Sequence, residues 1–230
     1  MKAVPCLTFT EVGWKSGDRK SFGKCQEEPA IFVGNDGTGC WSMLGMTGGS
    51  QPMSFAEPGC LWIGTIEHEL GHALGMSHEQ CRPDRDQFIT VQWQNIPGRK
   101  WQSQFDVMRD AFTDLPYDYL SVMHYGTRKT RPWFTLPSSV DTSKVGQRTA
   151  LSDGDIAQMV VMYESEVAAG CSGGGGIVGC VDAPGSHCES ASRRGNCSQA
   201  SRDELKNCCA CDGGFEVKCY KRAGCPNVTA

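Results

Sequence analysis

Two histidines four residues apart, His68 and His72, followed after a glycine by a third, His78, restrict this chain more than any other feature. Ile63, Ile66, Leu70, Ala73 and Leu74 recur around them at helical spacing, which predicts one amphipathic helix. On such a helix, positions i and i+4 project from one face, one turn apart. That face lies opposite the apolar stripe, so the stripe is expected to pack on a core while the imidazoles meet a cleft. Gly75 is expected to end the helix, because it can take the left-handed conformation of a C-terminal cap. His78 can then return as a third nitrogen donor. Three imidazoles leave the fourth position of a zinc ion to water, the arrangement of a catalytic rather than a structural site. Glu69 directly follows the first histidine, within reach of that water as general base. Chance alone would supply roughly 10⁻⁵ such matches in a chain of this composition. Two bland alternatives are a helix with solvated histidines and a metal site without catalysis. Three of the chain's five histidines at these spacings argue against the first, and Glu69 against the second.

Cysteine usage divides the rest. Of 14 cysteines in 230 residues, Cys6, Cys25, Cys40, Cys60 and Cys81 precede residue 170 and the others crowd into the tail. That crowding reads as a disulfide framework made in an oxidising compartment, and the Asn196 and Asn227 sequons agree with secretion. Ser172 followed by four glycines reads as a flexible linker, so the chain is parsed as 1–171, a linker at 172–179, and a cysteine-rich module at 180–230. A net charge of -4 offers no basic stripe for nucleic acid, and no stretch is apolar enough for a membrane span. Short strands are expected at Val4–Thr8, Ala30–Val33 and Trp41–Met46, and a second helix from Ser152, capped by Asp155, with Ile156, Met159, Val160 and Tyr163 as its buried face. Strands early and helices late predict an α+β domain.

Residues 68–86, His-Glu-x-x-His-x-x-Gly-x-x-His-Glu-x-x-Arg-x-Asp-Arg-Asp, resemble the extended signature of the astacin zinc endopeptidases, a metzincin family. Ser121-Val122-Met123-His124-Tyr125 resembles that family's Met-turn, and Gly39-Cys40-Trp41-Ser42 and Val145-Gly146-Gln147-Arg148 are also similar. The likeness covers about residues 3–171. It implies a two-lobed metzincin-type catalytic domain with zinc on His68, His72 and His78, Glu69 as the base, and Tyr125 as a further, displaceable ligand that stabilises the oxyanion. Met123 would be an apolar base beneath the metal; His124 is given no role. The strand Cys40–Leu44 would pair with an extended protein or peptide substrate. Arg128, Lys129 and Arg131 lie where a basic pocket would favour an acidic residue after the cut, or are simply a solvated loop.

The resemblance further implies disulfides Cys40–Cys60 and Cys6–Cys171. Parity then suggests Cys25–Cys81, with Cys81 as a metal thiolate the alternative. Family domains start well before the position matching Cys6, and the N-terminus has no apolar signal-peptide core. A truncated N-terminal lobe, an upstream signal and propeptide, and a Glu79 without its N-terminal amine partner are therefore expected. The tail weakly resembles ShK-toxin-like modules, with targeting to a substrate, matrix or surface, or nothing beyond stability, as its roles. A secreted zinc endopeptidase is the leading reading; its rival is a degenerate protease whose tail acts as a binding or toxin-like module.

Overall fold

The computed structural model describes residues 8–18, 20–163 and 218–223. They divide into two compact units: residues 8–41, 47–63 and 218–223 in one, residues 42–46 and 64–163 in the other.

The first unit is built on strands β1 (Thr8–Val12), β2 (Trp14–Asp18), β3 (Phe22–Cys25), β4 (Ala30–Gly34), β5 (Cys40–Ser42) and β6 (Ser50–Phe55). β4 is a continuous apolar run with every residue buried, as a strand covered on both faces requires. It pairs in parallel with β6, Ala30 opposite Ser50 and Gly34 opposite Ser54. Phe32 and Met53 are fully buried, and Phe22 meets Phe32 edge-on at 6.1 Å. β5 is the edge strand beside β6. The strand expected over Trp41–Met46 stops at Ser42, and the chain beyond it turns at Gly45, which has a positive φ of 67°.

The second unit holds α1 (Ile63–Ala73), β7 (Thr90–Val91), the short α2 (Gly98–Gln102), β8 (Phe134–Thr135) and α3 (Asp153–Met162). Its core gathers Ile89, Ile96, Phe105, Tyr117, Trp133, Phe134 and Val145. α3 starts as expected: Ser152 Oγ accepts from the Asp155 amide, and the Asp155 carboxylate accepts from the Ser152 amide. Only Asp155 and Met159 of α3 are buried; Ile156, Val160 and Tyr163 are half-buried.

The expected strand at residues 4–8 lies outside the described residues except Thr8, which opens β1. Cys6, Cys171 and most of the cysteine-rich tail also lie outside them. Lys218–Ala223 forms β9, antiparallel to both β1 and β4 in the sheet order β1-β9-β4-β6-β5.

Candidate metal centre

The way α1 ends sets the position of the third histidine. The helix closes in a paired C-terminal cap: the Met76 amide donates to Gly71 O at 2.9 Å and the Gly75 amide to His72 O at 2.9 Å, with Gly75 at φ 94°. That reversal turns the chain back so that His78 faces the helix it has just left. Burial of α1 does not follow the expected stripe. Leu70 and Leu74 are buried, but Ile63 is exposed, and Gly64, Glu67, His68, Glu69 and Gly71 are buried instead. The histidine-bearing side is covered because two glycines let other backbone and side chains come close. A Cβ on Gly64 would stand 2.0 Å from Arg148 O, and one on Gly71 would stand 2.8 Å from Met123 Sδ.

The three imidazoles converge. His72 Nε2 lies 3.2 Å and His68 Nε2 3.3 Å from His78 Nε2. A tetrahedral zinc ion with bonds of about 2.0–2.1 Å separates its nitrogens by roughly 3.3–3.4 Å, so these spacings fit it. The tautomers fit as well. His68 Nδ1 donates to Val122 O and His72 Nδ1 to Met76 O, each at 2.8 Å, which leaves both Nε2 lone pairs turned inward. Lone pairs this close repel one another unless a cation lies between them. Burial pushes all three histidines below their ordinary range, His68 to about 3, so they are neutral donors at physiological pH. Among the described residues this is the one cluster with metal-ligand geometry.

Glu69 is buried, with Oε2 without a protein partner. Burial raises its carboxyl to about 7, while the Arg148 cation pulls the other way. Tyr125 stands edge-on to the His78 ring at 4.7 Å and donates its hydroxyl to Gln104 Oε1 at 3.2 Å. Its phenol is pushed up to about 12, mainly by burial, and keeps its proton. Met123 is fully buried beside Gly71.

Three expectations change. Glu79 is not left without a partner: Arg82 Nη1 at 3.0 Å and the Asp118 amide at 2.8 Å both donate to its Oε1. Cys25 and Cys81 do not pair. Cys81 is a free, buried thiol whose Sγ donates to Gln104 O at 3.1 Å, while Cys25 is disulfide-bonded elsewhere. Burial lifts the Cys81 thiol to about 12, and Cys81 is not among the clustered ligand atoms, which are those of the three histidines. Cys40–Cys60 is bonded, as the resemblance implies. Arg128, Lys129 and Arg131 are exposed, and the Arg128 guanidinium lies 3.6 Å from the centroid of the Trp133 ring.

Two residues escaped the sequence reading. His124 is fully buried; its Nδ1 donates to Tyr125 O and its Nε2 accepts from Tyr117 OH, both at 2.7 Å. Arg148 is the cation that acts on Glu69, on Tyr125 and on all three histidines. Its motif was visible, but no spacing rule places a residue this far along the chain beside the cluster.

Comparison with known proteins agrees with this geometry. The family model for astacin, a peptidase family, matches residues 13–164. The chain is 41% identical over 134 residues to zinc metalloproteinase nas-4 of Caenorhabditis elegans, covering 54% of this chain and 41% of that one. It is 35% identical over 220 residues to zinc metalloproteinase nas-38 of the same organism, covering 91% of this chain and 25% of that one. Among solved structures it resembles high choriolytic enzyme 1, a hatching enzyme zinc-protease from Oryzias latipes. The TM-score is 0.54 at 35% identity, covering 65% of this chain and 72% of the other. The chain spans less than half the length of both curated relatives.

Proposed function

The chain belongs to the astacin family of peptidases, and from that premise we propose that it is a secreted, zinc-dependent endopeptidase hydrolysing internal peptide bonds of proteins. The convergence of three imidazole Nε2 atoms carries this reading. A zinc ion held by His68, His72 and His78 would supply Lewis acidity for the scissile carbonyl and for an attacking water. The remaining work belongs to side chains. Val122 O and Met76 O orient His68 and His72. Glu69 accepts the proton of the attacking water and delivers it to the leaving amine. Burial, which raises this carboxyl, favours the protonated form that delivers the proton. Tyr125, also a displaceable ligand in the resting enzyme, donates its phenolic hydrogen to the carbonyl oxygen as that atom gains negative charge. Met123 packs beneath the ligand helix at Gly71, and Glu79, through Arg82 and Asp118, braces the segment after His78.

An extended substrate would add its backbone to the edge of β5. The Cys40–Cys60 disulfide and the cysteine-rich tail support an extracellular setting. In this reading residues 1–171 are the catalytic domain, 172–179 a linker and 180–230 a cysteine-rich module that contributes β9.

A peptide-cleavage assay with a zinc chelator, run beside Glu69→Ala, tests the mechanism. Chelation should abolish turnover and zinc should restore it. Glu69→Ala should lower kcat by about 10²–10⁴ while stoichiometric zinc is retained, because Glu69 is a base and not a ligand. Activity that survives both treatments overturns the proposal.

A further inference from the structure

The Tyr125 hydroxyl has one hydrogen to donate, and in this structure Gln104 Oε1 accepts it at 3.2 Å. That same hydrogen is the one the reacting carbonyl oxygen needs. We propose that Gln104 is a positioning residue that holds the Tyr125 hydroxyl in a resting orientation, from which it must be released before it can stabilise the developing charge. The inference deepens the endopeptidase reading and rests on it.

The surrounding contacts hold the main chain on both sides of this bond. Gln104 O accepts from Cys81 Sγ at 3.1 Å, and the next residue, Phe105, is fully buried with its O accepting from Arg85 Nη1 at 2.6 Å. The Met108 amide donates to Cys81 O at 2.8 Å, so the turn Ser103–Phe105 is tied to the segment after His78 on both sides. Tyr125 is pinned at its backbone: its amide donates to Gln80 Oε1 at 3.0 Å and its carbonyl accepts from His124 Nδ1 at 2.7 Å. Its ring lies edge-on between Phe105, at 5.8 Å, and His78. With the main chain held, only side-chain rotation can take the hydroxyl elsewhere. The bond to Gln104 is neutral and long for an O–H donor, so it biases the phenol without trapping it. While the hydrogen points at Gln104, the oxygen's lone pairs stay free.

The test uses the full chain, loaded with zinc, and a fluorogenic peptide chosen from a cleavage-profiling library. Gln104→Leu removes the acceptor and should raise kcat roughly two- to tenfold, the size of one neutral hydrogen bond, with KM unchanged. Gln104→Glu supplies a stronger, charged acceptor and should lower kcat by a similar factor. In a Tyr125→Phe background both substitutions should be silent, because Gln104 acts only through the hydroxyl. Equal effects in the two backgrounds, or a fall in kcat with Gln104→Leu, overturn the proposal. If Tyr125→Phe alone leaves kcat unchanged, it is the reading of Tyr125 as catalytic donor that fails, a result separable from any outcome at Gln104. Zinc content and thermal unfolding of each variant confirm that the fold is intact.

Discussion

His124 shows how much a single buried ring can impose. It is fully enclosed, bridges Tyr117 OH to Tyr125 O, and is pushed down to about 4 by burial. In the unfolded chain it would titrate near 6.5. Between those values the unfolded state binds the proton and the folded state does not, so stability is lost as pH falls through this window. His124→Gln removes the linkage. The stability advantage of the parent over the variant should therefore shrink by about 2 kcal/mol between pH 7 and pH 4.5, measured by urea denaturation of the metal-free protein. Nothing at the sequence level separates His124 from the three clustered histidines except spacing, and spacing says nothing of what a ring beyond the motif will touch. The cluster, by contrast, was legible because its geometry is local: a helical turn, a glycine cap and a short return. Glu79 departs from the expectation for a related reason. The resemblance pointed to one distant partner, while the chain supplies a near one three residues on, in Arg82, and a backbone amide at Asp118.

Elements were readable where their ends are encoded by neighbours and unreadable where their faces are set from afar. Ser152 and Asp155 announce α3, and Gly75 stops α1, because caps are made within a few residues. The buried side of α1 was not deducible, since Arg148 and Met123 decide it from many residues downstream. Those two contacts are unequal. At Gly64 an added methyl would meet the Arg148 carbonyl at 2.0 Å, rigid backbone that can yield only by displacing its segment. At Gly71 it would meet the thioether of Met123 at 2.8 Å, in a side chain able to change rotamer. Gly64→Ala should thus cost several kcal/mol or prevent folding, and Gly71→Ala about 1–3 kcal/mol, despite the higher helix propensity of alanine at both sites. Thermal melts of the two variants check the order. Asp155 adds a link between elements, for its carboxylate accepts from Ser121 Oγ at 2.6 Å and from the Val122 amide at 2.8 Å, joining the start of α3 to the turn whose Val122 carbonyl orients His68.

At the scale of the molecule, the two compact units carry different kinds of reinforcement. All three histidines, with Glu69, Met123 and Tyr125, belong to the unit of residues 42–46 and 64–163; the Cys40–Cys60 disulfide belongs to the other. A metal that binds only the folded cluster stabilises the protein by mass action, by about 4 kcal/mol at a thousandfold excess over its dissociation constant. A disulfide closing a loop of this size contributes about 3 kcal/mol, chiefly by restricting the unfolded chain. Each removal should register first where its constraint lies. Hydrogen exchange read by mass spectrometry separates them. Chelation should speed exchange at the amides of Glu79, Val122 and Tyr125, which donate to Met123 O, Asp155 Oδ2 and Gln80 Oε1 around the cluster. Reduction should instead loosen Ala56 and Cys60, whose amides, in the closed loop, donate to Gly39 O at its base and to Ala56 O. If chelation left the three cluster amides as protected as before while β4 and β6 opened, the metal would be held elsewhere than on these histidines. That result would remove the basis for the proposed chemistry, because the position of Glu69 and Tyr125 matters only beside an ion bound there.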